Sequence, residues 1–361
     1  MPTSFDEMFM AESMTGLVRR FADQSQERSF IQLYEAGEKL APIADVVKWD
    51  EKRFSRDLAP ITGPGSPTKA AAPVGVKKRT GELLSIKEHV DLDARFILMA
   101  RGAGSMLPDP QGVLNDNLMN LTNRITRTKN YWAAKSVLTT NGVVDPGAFP
   151  NADLPSSAIT FTYPVQALSA ATSWATASTL IRSAEINRLK RTYERATGER
   201  AGYAIASDTV EGFITGNTEV TTLLSGGSMA GRVLESSFQN GGALPRFGDL
   251  DWKFARDYYA ADATPDTTTD VITDTDLVAI LPEPSRWREV FALAEGLNLV
   301  PTGNISAMAN GNPLQLIAEV RGWAAYVELI ANPIGLRLHV MWTGLLIQKM
   351  VNGVMVFDAT P

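Results

Sequence analysis

No cysteine occurs among the 361 residues. Disulfides, thiol nucleophiles and cysteine-held zinc or iron–sulfur centres are therefore excluded, and the absence suits a reducing cytoplasm. Histidine is nearly missing as well, with His89 and His339 the only two. No apolar run approaches the roughly 18 residues that a membrane-spanning helix needs. The N-terminus, MPTSFDEMFMAESM, has neither a basic n-region nor an apolar h-region, so no secretory signal is expected. Neither sign of charge dominates: 34 Lys and Arg against 40 Asp and Glu leave a net charge of −6. That balance argues against coating nucleic acid by bulk charge, although local basic patches remain open. The rest is ordinary for a globular chain, at 44% hydrophobic and 20% charged, and the length suffices for two or three domains around a sizeable core.

Proline and glycine are also absent from Val113 to Leu138. Within that stretch Leu114, Leu118, Leu121, Ile125 and Trp132 recur at steps of three, four or seven, which is one face of a helix. Arg124, Arg127, Lys129 and several asparagines fall on the other faces, giving a narrow apolar stripe. Pro108 and Pro110 before it and Asn141-Gly142 after it act as stop signals. The pattern predicts one unbroken helix, about 39 Å long at about 1.5 Å per residue.

The segment from Asn115 to Arg127, Asn-Asp-Asn-Leu-Met-Asn-Leu-Thr-Asn-Arg-Ile-Thr-Arg, resembles the spine-helix motif of the lambda-type major capsid proteins of tailed bacteriophages. The arm before it, Arg56 to Pro60 running into Gly63-Pro64-Gly65-Ser66-Pro67, is similar to that family's proline-rich loop, and order and spacing match over roughly residues 45 to 140. The resemblance implies an α+β fold of the Hong Kong ninety-seven kind. It would have an N-terminal arm at 1–45, an extended two-stranded loop at 46–100 and a mixed α/β axial domain at 156–309. A peripheral domain would be assembled from 101–155, with the spine helix at 113–138, and from 310–361. It implies a coat subunit with no active site, copies of which form pentamers and hexamers of an icosahedral shell enclosing double-stranded DNA. Scaffolding and portal proteins and a decoration protein would be its partners, and its place would be the virion, with assembly in the host cytoplasm. An encapsulin-like shell around an enzyme cargo keeps the fold with another role, and a soluble α/β enzyme is the reading from a different class.

Leu17, Val18 and Phe21, then Phe30, Ile31 and Tyr34, stand at helical spacing. Alone these would read as a helical cap, but Phe5, Met8, Phe9, Met10 and Met14 are many apolar groups for a terminus to expose, and they point to an interface. A first arm is expected over Trp49–Ile61 and a second over Leu83–Met99, joined by the Gly/Pro/Ala/Thr tract TGPGSPTKAAAPVG. Lys69, Lys77, Lys78, Arg79 and Lys87 make this the most basic stretch of an acidic chain. Phe5, Phe9, Lys69, Lys77, Lys78 and Arg79 are accordingly the candidate inter-subunit contacts.

Beyond the spine, Ala158–Tyr163 alternates like a strand, and a second long helix is predicted over Ser169–Thr197 with Leu180, Ile181, Ala184, Leu189 and Tyr193 inward and Gly198 as its cap. Asp208 to Glu211 resembles a capping box, Gly248-Asp249 a turn and Leu277–Leu281 a strand, while Ala260–Asp276 reads as an exposed loop. Four strands close the chain: Ala324–Ala331, Leu336–Met341, Leu345–Val351 and Val354–Phe357. Asn352-Gly353 is a hairpin signal between the last two, and the whole sheet is expected to pack on the spine.

No catalytic or cofactor motif survives inspection. Phe96–Leu107 has Gly102 and Gly104 but no third glycine, and Pro108 blocks the receiving helix. Ser225–Arg232 is glycine-rich without the Gly-Lys-Ser/Thr ending, and no Gly-x-Ser-x-Gly elbow is present. His89, Asp91 and Asp93 share one side of an extended strand and could hold a cation, but the reading adopted is a solvated edge. No metal, cofactor or membrane partner is expected.

Overall fold

The computed structural model describes residues 10–25, 30–52, 76–93, 110–138, 143–149, 159–160, 172–225, 247–255, 258–260, 268–270, 276–301, 317–331, 334–350 and 352–361. In chain order the labelled elements begin with helices α1 (Ala11–Gln24) and α2 (Ile31–Glu35), then strands β1 (Glu38–Leu40), β2 (Val46–Lys52), β3 (Val76–Glu82) and β4 (Leu84–Asp93). The spine is α3 (Pro110–Val137). After it come α4 (Asn187–Thr197), β5 (Ala201–Ser207), α5 (Asp208–Thr215), α6 (Thr218–Ser225), β6 (Asp251–Ala255), β7 (Leu277–Pro282), β8 (Phe291–Glu295), β9 (Leu297–Pro301), β10 (Ile317–Arg321), β11 (Trp323–Ala331), β12 (Ile334–Gln348) and β13 (Met355–Asp358).

The spine runs unbroken for 28 residues, about 42 Å at about 1.5 Å per residue. Pro110 stands at its first position, where a missing amide hydrogen leaves no bond unmade. Leu114, Leu118, Leu121, Ile125 and Trp132 are all buried. They pack on a five-stranded sheet ordered β1-β8-β12-β11, with β4 also pairing β12. The sheet lays Leu336, Leu338, Val340 and Trp342 of β12 toward them. Each such buried side chain contributes about 1.5–3 kcal/mol.

The buried part of the spine is wider than the apolar stripe. Thr122, Thr126, Lys129, Asn130 and Ser136 are 0–2% exposed, because α1 and α2 close on the helix from another side and sheet tryptophans cover Lys129. Lys129, expected on a solvated face, instead lies over the rings of Trp323 and Trp342, 4.9 and 4.5 Å from their centroids. Cation–π attraction in so dry a place amounts to about 2 kcal/mol. Thr122 donates to the Leu118 carbonyl at 2.6 Å, satisfying its hydroxyl within its own helix.

A second sheet, ordered β13-β7-β5-β6, forms the other core with the helices of 181–225. The expected helix over Ser169–Thr197 is shorter. Residues 172–180 form turns, with Thr179 donating to the Ser173 carbonyl and the Ala175 amide to Ser173 Oγ, so short hydroxyl side chains compete with helical bonding. Six π-helical residues, Ile181–Ile186, then lead into α4. That register turns Ile181, Ile186, Leu189 and Tyr193 inward, whereas Leu180 and Ala184 are exposed. Gly198 closes the helix at φ 80°, where its missing Cβ avoids strain. The cap of α5 is Ser207 rather than Asp208: Ser207 Oγ accepts from the Val210 amide at 3.4 Å. Gly248 and Asp249, at φ 64° and 62°, make the tight turn that joins Phe247 to Leu250.

The C-terminal strands differ from expectation in two ways. Residues expected as separate strands at 336–341 and 345–351 form one 15-residue strand, β12. The Asn352-Gly353 turn makes no hairpin, because β12 already pairs with β11, β4 and β8 along its length. β13 crosses instead to the second sheet and pairs with β7, so 310–361 does not all lie on the spine. Likewise β8 and β9, inside the expected 156–309 block, belong with the spine sheet and its neighbour hairpin. The loop expected over Ala260–Asp276 contains a short strand, Thr268–Asp270, paired with Tyr258–Ala260. Of Ala158–Tyr163 only Ile159–Thr160 is described, paired with Val143–Val144.

Candidate inter-subunit surfaces

Residues 11–25 and 30–40 belong to the chain's own body. Met14 and Val18 are fully buried, and Thr15 Oγ1 accepts from the Ala325 amide at 3.0 Å on β11. Arg19 donates to the Arg321 carbonyl at 2.9 Å. The spine receives α2 through Asn130, whose Oδ1 accepts from the amides of Phe30 (2.8 Å) and Ile31 (3.2 Å) at the start of that helix. This is an N-cap supplied from a distant element. Tyr34 and Ser136 hydroxyls are 2.6 Å apart, and Gln348 donates to both the Tyr34 oxygen (3.1 Å) and the Ser136 carbonyl (3.0 Å). Within the region expected as an N-terminal arm over residues 1–45, helices α1 and α2 thus pack on the chain's own body. Phe5 and Phe9 lie outside the described residues.

β2 and β3 form a two-stranded antiparallel ribbon, from Val46 opposite Glu82 to Lys52 opposite Val76. The expected second arm at Leu83–Met99 is not its partner. The basic run itself, Val76 to Glu82, returns along β2, and the next strand, β4, joins the spine sheet. The tip-side end of the ladder is held to the body where the Lys52 amide donates to the Lys349 carbonyl at 2.8 Å. One ribbon face is covered: Val47 and Glu51 are buried, and Arg79 donates to the Glu51 carboxylate at 3.0 Å. Arg79 is thus engaged by its own chain. Lys77 and Lys78 are exposed, as are Val46 and Val76. Lys69 and the joining tract fall outside the described residues.

Asp91 is held by Arg337 through two bonds, 2.7 and 3.0 Å, which pull its carboxyl below the ordinary range. Burial raises the Glu88 carboxyl, opposed by Arg124 of the spine at 2.9 Å. No group of three or more His, Cys, Asp or Glu is arranged to hold a metal ion among the described residues. The Phe96–Leu107 segment and the glycines of Ser225–Arg232 lie outside the described residues. No helix among the described residues is long and apolar enough to cross a membrane. The described surface offers a ribbon with an exposed basic edge, on a body stapled together by buried polar groups. Only the ribbon was legible in the sequence. Asn130, Ser136 and Gln348 carry no local pattern that marks them.

Solved structures share this architecture. The chain superposes on a protein assigned as the capsid protein of an Escherichia coli CFT073 prophage with a TM-score of 0.56 at 14% identity, covering 95% of this chain and 98% of that one. A phage-related protein from Bordetella bronchiseptica RB50 matches with a TM-score of 0.51 at 10% identity, over 97% of both chains. A subunit of the bacteriophage PhiM1 mature capsid matches with a TM-score of 0.50 at 10% identity, over 90% of this chain and 86% of that one. At such identities the likeness shows the fold. No curated protein matches the sequence. The family model of phage major capsid protein E matches residues 43–309, from the foot of the ribbon through the spine and most of the second core. With that match spanning well over half its length, the chain belongs to the phage major capsid protein E family.

Proposed function

We propose that this chain is the shell-forming subunit of a tailed-phage head, in which rings of five and six copies close into an icosahedral shell around double-stranded DNA. The observation that carries the reading is the family match over 43–309; an unbroken spine on a five-stranded sheet supports it. The subunit works by geometry and interfaces rather than by catalysis. A rigid body, held by Lys129, Asn130 and Tyr34, carries a ribbon whose tip residues 53–75 reach a neighbouring copy. Lys77 and Lys78, with Lys69 in the tip, meet acidic surface there, and Phe5 and Phe9 add apolar contact.

In this reading the peripheral portion is the spine with its sheet. The axial portion runs from about residue 172 to 282 and takes β13 back from the C-terminus. Genome contact is weak and sequence-independent, since an acidic chain offers phosphates only local basic patches. A scaffolding protein, a portal and a decoration protein complete the virion, and assembly takes place in the host cytoplasm.

Electron microscopy of the purified full-length chain tests the proposal. Closed shells built from five- and six-membered rings are expected, with DNA inside when particles are taken from infected cells. A protein that stays monomeric at every concentration would contradict it, and an enzyme in place of DNA would move it to a cargo compartment.

A further inference from the structure

The two histidines, so far apart in sequence, meet in space. His89 on β4 stands directly opposite His339 on β12, with ring centroids 5.6 Å apart and planes inclined at 42°. Tyr326 on β11 is opposite His339 on the other side and stacks on it at 4.5 Å and 11°. Alternate residues of neighbouring strands share a face. Tyr326, His339 and His89 therefore form one row, and Glu328, Arg337 and Asp91 the next.

We propose that His89 and His339 together bind a late first-row divalent cation of the Zn2+ class, clasping β4 to β12. His339 Nε2 lies 2.9 Å from Glu328 Oε2. A carboxylate only accepts, so Nε2 carries a proton, and in the neutral ring the Nδ1 lone pair is left for a ligand. A carboxylate behind the imidazole is the arrangement that orients metal-bound histidines and raises their basicity. Tyr326 fixes the plane of that ring. His89 is exposed, which opens the pair to ions from solvent. Asp91, the donor suggested by the sequence, is occupied by Arg337, and each neutralises the other.

The site thus offers two imidazole nitrogens with water completing the shell, a donor set that selects Zn2+, Ni2+ or Cu2+ over Mg2+ or Ca2+. Because β4 follows β3 after a single residue, an ion here ties the strand that carries the ribbon to the central strand of the body.

Titration of the full-length protein with Zn2+, followed by calorimetry and by the imidazole NMR signals, tests this. One Zn2+ per chain should bind, with both histidine signals moving together and Mg2+ failing to compete. His89→Ala and His339→Ala should each weaken binding at least tenfold, and Glu328→Gln about 10- to 100-fold, with the zinc-free variants still folded by circular dichroism. Zinc uptake unaffected by either histidine variant, signals that respond at different zinc concentrations, or one zinc per two chains would overturn the proposal.

Discussion

Tyr34 joins three stretches of chain through one hydroxyl, touching Ser136 on the spine and Gln348 on β12 from its place on α2. Burial pushes its phenol up to about 12, whereas an unfolded tyrosine ionises near 10. Below about pH 10 both states hold the proton and pH has no effect. Between about 10 and 12 the unfolded chain releases a proton that the folded chain keeps, so stability falls by about 1.4 kcal/mol per pH unit for this group. Tyr203 is likewise raised to about 12 and Tyr193 is raised by burial, so the loss should be steep. Tyr34→Phe should remove one proton's worth of that slope in urea unfolding at pH 10–12, after an initial loss of about 1–3 kcal/mol at neutral pH from the buried partners left behind. An unchanged alkaline slope would assign the ionisation elsewhere. Leu121→Asp should destabilise by more than about 4 kcal/mol, since a carboxylate on the buried stripe meets no partner; soluble, native-like protein by circular dichroism would contradict the packing.

At the level of elements, the spine was legible because one helix presents its period to one core for seven turns. Residues buried from a second direction escaped that period: Lys129 and Asn130 read as surface because their covers, the tryptophans of the sheet and the start of α2, are remote in sequence. The ribbon was legible as an excursion but not in its pairing. Lys77, Lys78 and Arg79 fell between the two expected arms, and their strand partner could be chosen only by the ladder with β2. The Asn352-Gly353 signal failed for a related reason, a local preference overruled by three tertiary pairings of β12. The ladder defines a cleaner excision than the basic run would suggest. Replacing Thr62–Gly75 with a short Gly-Ser linker leaves every β2–β3 pair intact. The subunit should then fold, with an unchanged unfolding temperature, and its shell yield in sedimentation should fall several-fold. Full yield would remove the latching role from the tip.

For the whole molecule, two cores share the chain without sharing its order: β13 returns to the second sheet, while β8 stays with the spine. This interleaving resists separation of the two bodies. In the proposed shell, the exposed basic ribbon edge of one copy meets the surface of a neighbour whose net charge is −6. Salt should therefore slow assembly, because charges separated by more than about 8–10 Å are screened at ordinary ionic strength. A map of assembled particles at side-chain resolution tests the central claim most directly. In every ring position it should show the 110–137 spine unbroken on the five-stranded sheet, with residues 53–75 seated on an adjacent copy. A tip folded back on its own body in those particles, or a spine broken to accommodate the lattice, would contradict the account.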